Sequence, residues 1–120
     1  MAQILVVEDM PSNRALASKL LRSAGHEVLL AETASQGVAL ASEQLPDLVL
    51  MDLTLPDMDG REALHELRGQ DRTADLHVVA FTAHAMQGDR SQALAAGFDG
   101  YVSKPIDFAT FADTISALLR

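Results

Sequence analysis

A chain of 120 residues that is 48% apolar can bury one compact core and is too short for two ordinary domains. Its 17 acidic residues against 9 basic ones leave a formal charge of -8, which argues against a phosphate backbone or an anionic membrane as partner and favours a cation or a basic protein face. With no cysteine there is neither a disulfide framework nor a thiolate metal centre, and the N-terminal MAQILVVED has neither the basic start of a leader nor the length of a membrane span, so a cytoplasmic protein is expected.

Five apolar, β-branched-rich runs stand out along the chain: Ile4–Val7, Val28–Leu30, Leu48–Met51, Val78–Phe81 and the weaker Tyr101–Val102. They lack strict alternation, as strands covered on both faces should. Helical spacing fills the intervals. Leu16, Leu20 and Leu21 share a face in the first, Val38, Ala41 and Leu45 in the second, and Ala63, Leu64 and Leu67 in the third. The fourth, around Ala93–Ala96, ends at Gly97, a residue suited to a left-handed helix terminus. The last is expected over about Phe108–Leu119, with Phe111, Ile115, Leu118 and Leu119 on one stripe. Gly and Pro are scattered singly, with no linker or repeat, so residues 1–120 are expected to form a single domain. Strand and helix in strict alternation predict an α/β domain: parallel strands joined by crossover helices, a doubly wound (βα)5 sheet.

Such sheets bind ligands beyond the carboxyl ends of the strands. The residues there are Glu8 and Asp9 after the first run, Asp52 at the end of the third, Thr82 after the fourth and Ser103-Lys104-Pro105 after the fifth. Three carboxylates converging at one edge repel one another unless a cation joins them. An oxygen-only donor set suits a hard ion, with Mg2+ the best fit. Lys104 adds a fixed positive charge, and Thr82 can donate a hydrogen bond to an anion. In that setting Asp52 is a candidate nucleophile towards phosphorus. Pro56 and Gly60 shape the loop that carries it.

The segments ILVVEDMPSNR, PDLVLMDLTLPDMDG, VVAFTAHAM and AGFDGYVSKPI resemble, in order and over essentially the whole chain, the motif series of the receiver domain of two-component response regulators, the CheY-like superfamily. The last two segments are most similar to single-domain regulators of the cell-division-control (DivK-like) type and to receivers of hybrid kinases. The resemblance implies a flavodoxin-like sheet in the order 2-1-3-4-5. It implies that Asp52 is the phosphoacceptor, and that Glu8, Asp9, Asp52 and the backbone carbonyl of Thr54 hold Mg2+, or Mn2+ in its place. Thr82 matches the switch hydroxyl, Tyr101 the switch aromatic and Lys104 the lysine that contacts the phosphoryl group, with a cis Lys104–Pro105 bond. Thr54 and His84 match the variable positions that tune the rate of phosphoryl gain and loss.

The implied partners are a sensor histidine kinase or a histidine phosphotransfer protein and a downstream protein target, with no nucleic acid and no membrane, the chain being a monomer or a phosphorylation-dependent dimer. Upstream partners are expected beside the acceptor, at Met10, Asn13, Arg14 and Ala17, and outputs at Ala93, Ala96, Tyr101 and the last helix. The initiating methionine and closing helix suggest a standalone regulator over a receiver cut from a longer protein such as a hybrid kinase.

Each motif residue alone has an ordinary explanation. Glu8-Asp9 reads as a helix start, with Asp9 near the cap and Pro11 in the first turn; Asp52 and Thr82 read as turn and cap residues, Lys104 as a solvated loop residue and Tyr101 as a core-edge aromatic. Together these require five accidents at successive strand ends. His26, His65, His77 and His84 show no ligand spacing and read as surface or loop residues. Asp57 and Asp59 read as shaping the loop and starting the third helix, with only weak support for a second metal site. Of the rival functions, a flavin site would want a glycine- and hydroxyl-rich loop where the chain has EDMPSN. A haloacid-dehalogenase-type phosphatase would want an acid at Thr54 and a longer chain. A docking module that no longer uses phosphate is disfavoured by the complete motif set.

Overall fold

The computed structural model describes residues 2–82 and 87–119, with side chains described outside 87–90. The elements alternate as β1 (Gln3–Val7), α1 (Pro11–Ser23), β2 (Glu27–Ala31), α2 (Ala34–Gln44), β3 (Leu48–Asp52), α3 (Gly60–Arg68), β4 (Val78–Thr82), α4 (Gln87–Ala96), β5 (Gly100–Ser103) and α5 (Phe111–Leu118). All four strand pairings are parallel, in the order β2-β1-β3-β4-β5. This is the expected doubly wound, flavodoxin-like sheet.

Successive side chains of a strand point to opposite faces, so each strand feeds two cores. Leu5, Val7, Val49, Met51, Val78 and Ala80 pack with Ala34, Ala41, Ala63, Leu64, Leu67 and Ala93 on the α2–α3–α4 side. Ile4, Val6, Leu48, Leu50, Val79 and Phe81 pack with Ala17, Leu21, Phe111 and Ile115 on the α1–α5 side. Burial on both faces explains why the strands read as continuous apolar runs. Among the described residues no helix is long and apolar enough to cross a membrane.

The helix ends depart from the expected boundaries for identifiable reasons. The cap of α1 is Met10, without a side-chain hydrogen bond, and Pro11 opens the helix; Asp9 lies outside it. Leu45 is not on the buried stripe of α2. It caps the helix in the left-handed region (φ 48°) and is exposed, because Pro46 bars the residue before it from continuing a helix. The last helix begins at Phe111, since the carbonyl of Asp107 accepts from Thr110 and Phe111 N–H in a turn that leaves Phe108 exposed. Gly97 does end α4 at φ 110°.

The registers set the level of the strand ends. Val7 lies opposite Met51, Asp52 opposite Phe81, and Thr82 opposite Ser103. Glu8, Asp52 and Lys104 therefore emerge at one edge. The connections splay apart between β1 and β3, where the strand order reverses.

Candidate functional site

Glu8 and Asp52 are buried, with 0% and 3% exposure, while Asp9 is exposed at the rim. One carboxylate oxygen from each of the three lies within 4.8 Å of the others, and among the described residues no other group of His, Cys, Asp and Glu meets that geometry. Two ionised carboxylates at such burial require a counter-charge. Lys104 provides it, with its Nζ 2.5 Å from Glu8 Oε1 and 3.1 Å from Asp52 Oδ2. The ammonium also lies 4.9 Å from the centroid of the buried Phe81 ring. Burial pushes the Lys104 pKa down, but hydrogen bonds to Glu8 and Asp52 and their charges outweigh it and hold the group above 10.5. The ammonium is therefore held in its charged form at neutral pH.

Backbone geometry fixes these side chains. Glu8 N–H donates to the carbonyl of Ala31, extending the β1–β2 ladder one residue past β1. Asp52 Oδ1 accepts from Thr54 N–H at 2.9 Å, which orients the carboxylate at the strand end. Lys104 N–H donates to the carbonyl of Thr82, and the Lys104–Pro105 bond is cis, as expected. Thr82 is fully buried at the end of β4, and Tyr101 is half-buried against the α2–α3–α4 core.

The loop after Asp52 is anchored at both ends. Asp59 caps α3, accepting from Arg61 N–H at 2.7 Å, and Glu62 places a second acid in the first turn, near the positive end of the helix. Asp57 does not start α3. Its oxygens accept from Ala34 N–H (2.8 Å), Ser35 N–H (2.9 Å) and the Ser35 hydroxyl (2.7 Å), so it closes the N-terminus of α2. The Ser35 hydroxyl first, then the two backbone donors, hold its carboxyl at about 2 against an ordinary 3.8. Both acids are thus helix-end partners, and no second acidic metal group forms at them among the described residues.

The expected docking residues separate. Met10 is exposed and Asn13 half-exposed at the start of α1. Ala17, however, is completely buried against the sheet and presents no surface to a partner. Arg14 turns inward, its side chain 15% exposed, towards the carbonyls of Glu8 and Asp9. Ala93 is likewise buried, whereas Leu94 and Ala96 on the same helix are exposed. Of the histidines, His65 is exposed, and His84 lies outside the described residues. His26 and His77 are partly buried and tie elements together rather than facing solvent. His26 accepts from Ala2 N–H and contacts the Ser116 hydroxyl, and His77 lies 3.7 Å from Asp99. Arg68, which sequence spacing did not single out, donates to the carbonyls of Ala74, Leu76 and Gly97 and to the Asp99 carboxylate.

The donor set is oxygen-only and converges without histidine, so the residues fit a hard divalent cation. Beside it stand a buried carboxylate and a fixed ammonium, the parts needed to accept an anionic group.

Comparison with known proteins agrees. Residues 4–116 match the model of the response regulator receiver domain. The chain is 36% identical to protein PilH of Pseudomonas aeruginosa over 99% of its own length and 98% of that protein's. It is 35% identical to the polar-differentiation response regulator DivK of Brucella anthropi over 97% and 94%. Among solved structures it resembles the receiver domain of the sensor histidine kinase PA1611 of Pseudomonas aeruginosa, with a TM-score of 0.84 and 38% identity, covering 98% of this chain and 93% of that one. That structure has a magnesium ion coordinated in its active-site cleft.

Proposed function

The chain belongs to the response regulator receiver domain family, signalling switches of two-component systems, and from that premise we propose that it accepts a phosphoryl group from a partner's phosphohistidine onto Asp52. The observation that carries this reading is the position of Lys104 between the buried carboxylates of Glu8 and Asp52, with the exposed Asp9 carboxylate at the rim beside them. The carboxylates of Glu8, Asp9 and Asp52, with the carbonyl of Thr54, would hold Mg2+, or Mn2+ in its place. Bound there, such an ion neutralises the oxygens of the incoming phosphoryl group.

The chain's own groups do the rest. Thr54 N–H holds one Asp52 oxygen and leaves the other aimed at Lys104. An in-line attack by that carboxylate on phosphorus forms the P–O bond as the P–N bond to the partner's imidazole breaks. Lys104 then follows the phosphoryl oxygens, which carry more charge than the carboxylate it leaves. Thr82 supplies the hydroxyl that the new oxygens draw inwards, and Tyr101 moves further into the space it vacates. The signal appears on α4, β5 and α5, where Leu94 and Ala96 are exposed, as a shift between two pre-existing arrangements. Upstream partners, a sensor histidine kinase or a histidine phosphotransfer protein, dock at Met10 and Asn13 beside the acceptor, in the cytoplasm. Thr54 and His84 set the lifetime of the phosphoryl group.

Intact-mass spectrometry after incubation with Mg2+ and acetyl phosphate tests this. A gain of one phosphoryl group, abolished by EDTA and by Asp52→Asn, is the expected result. No gain from acetyl phosphate or from a phosphohistidine partner, with no Mg2+-dependent binding of beryllofluoride, would point instead to a docking module that does not use phosphate.

A further inference from the structure

The guanidinium of Arg14 donates through Nη1 to the backbone carbonyls of Glu8 (2.9 Å) and Asp9 (3.2 Å), and through Nη2 to Glu32 Oε1 (3.1 Å). It therefore crosses from α1, over the two residues that follow β1, to the residue that follows β2. Those two residues carry carboxylates of the acidic cluster, and their segment lies between β1 and α1, where α1 has no side-chain cap to fix it.

We propose that Arg14 is a positioning residue for the cation site, holding the Glu8–Asp9 backbone so that both carboxylates face Asp52. This rests on the reading of Glu8, Asp9 and Asp52 as a divalent-cation site. Three features support it. A planar guanidinium can engage two carbonyls and a carboxylate at once, which a lysine ammonium cannot match in fixed geometry. Arg14 binds the carbonyls of Glu8 and Asp9 and leaves their carboxylates to the cluster. The exposed Glu32, which is not part of the acidic cluster, offsets its charge, so the arginine need not take a carboxylate from the cation. Partners of metal ligands that are not ligands themselves typically set metal affinity by tenfold or more.

The sign of the effect separates this role from others. By charge alone, removing a cation beside a metal site strengthens metal binding. A residue that only touches a protein partner leaves metal binding unchanged. A positioning residue weakens metal binding when removed. The test is Mn2+ binding to the full chain, read from the EPR signal of the free ion, for the wild type, Arg14→Met and Arg14→Lys, with circular dichroism confirming the fold. Arg14→Met is expected to weaken Mn2+ binding about tenfold, and Arg14→Lys less but in the same direction. Unchanged or tighter binding in a folded Arg14→Met chain overturns the proposal while leaving the cation site intact. If Arg14→Met does not fold, the same outcome in Arg14→Lys overturns it. Absence of Mn2+ binding by the wild type overturns the cation site itself, and the proposal with it.

Discussion

Lys104 Nζ lies 3.1 Å from Asp52 Oδ2 while also holding Glu8, so one ammonium answers two buried carboxylates, one just past β1 and one at the end of β3. The pocket is short of positive charge by design of its residues. One lysine meets two buried carboxylates, with the exposed Asp9 carboxylate close to both.

Lys104→Met should therefore leave Glu8 and Asp52 uncompensated. We expect the metal-free chain to lose about 3 kcal/mol of stability, the scale of breaking a buried ion pair. Added Mg2+ should raise the melting temperature of the variant by more than that of the wild type, because the ion then replaces the missing charge. Thermal melts with and without Mg2+ check both statements, and an unchanged metal-free melt would refute the first.

Asp57 offers a pH signature away from the phosphoryl pocket. Its folded carboxyl is depressed from 3.8 to about 2, so the tie to α2 is at full strength above 3.8 and is lost as pH falls through about 2. Carboxyl 13C NMR should find a midpoint near 2 in the wild type. In Ser35→Ala, which removes the strongest of the donors, the midpoint should move up towards 3.8. An identical titration in the two proteins would show that the Ser35 hydroxyl does not hold the carboxylate.

Gly60 begins α3 against the backbone of the acceptor strand. A Cβ there would collide with the carbonyl of Asp52 and come within 2.9 Å of Leu53 Cα, both backbone atoms that cannot rotate aside. Gly60→Ala should cost about 2 kcal/mol in chemical denaturation. It should also slow phosphoryl uptake from acetyl phosphate, because the displaced backbone is that of the acceptor.

Arg68 ties the end of α3 to the turn before β4 and to the α4–β5 connection through three carbonyls and Asp99. Removing it takes the donor from three carbonyls, while the Asp99 carboxylate keeps Val78 N–H. Arg68→Met should lower stability by about 2 kcal/mol in urea denaturation without changing Mn2+ affinity, since it lies at the opposite edge of the sheet. A drop in Mn2+ affinity in a folded variant would contradict that separation.

The residues that misled the reading of the sequence did so for two different reasons. Leu45 fits the spacing of α2, but Pro46 ends the helix there; the signal was present, and the local rule about prolines outranks periodicity. Asp59 was legible as an acid that starts the third helix, and it does cap α3. Asp57, Arg14 and Arg68 were not legible in the same way. Asp57 reaches Ser35 across 22 residues, Arg14 reaches Glu32 across 18, and Arg68 reaches Asp99 across 31. Spacing along a chain reports neighbours only within one helix or strand.

By itself the sequence determined the alternation of strands and helices and the acids, hydroxyl and lysine at their ends. Those follow from local pattern and from the identity of residues at strand ends, and the motif series tied them to a family. Tertiary structure decided which of those residues meet. Register placed Glu8 and Asp52 within reach of Lys104, and packing buried Ala17 and Ala93, which proximity to the acceptor and the switch route had offered as contact residues. It also turned Arg14 from the surface to the acidic loop. The physical reason is that burial and pairing are properties of two surfaces brought together, and a single chain segment specifies only one of them.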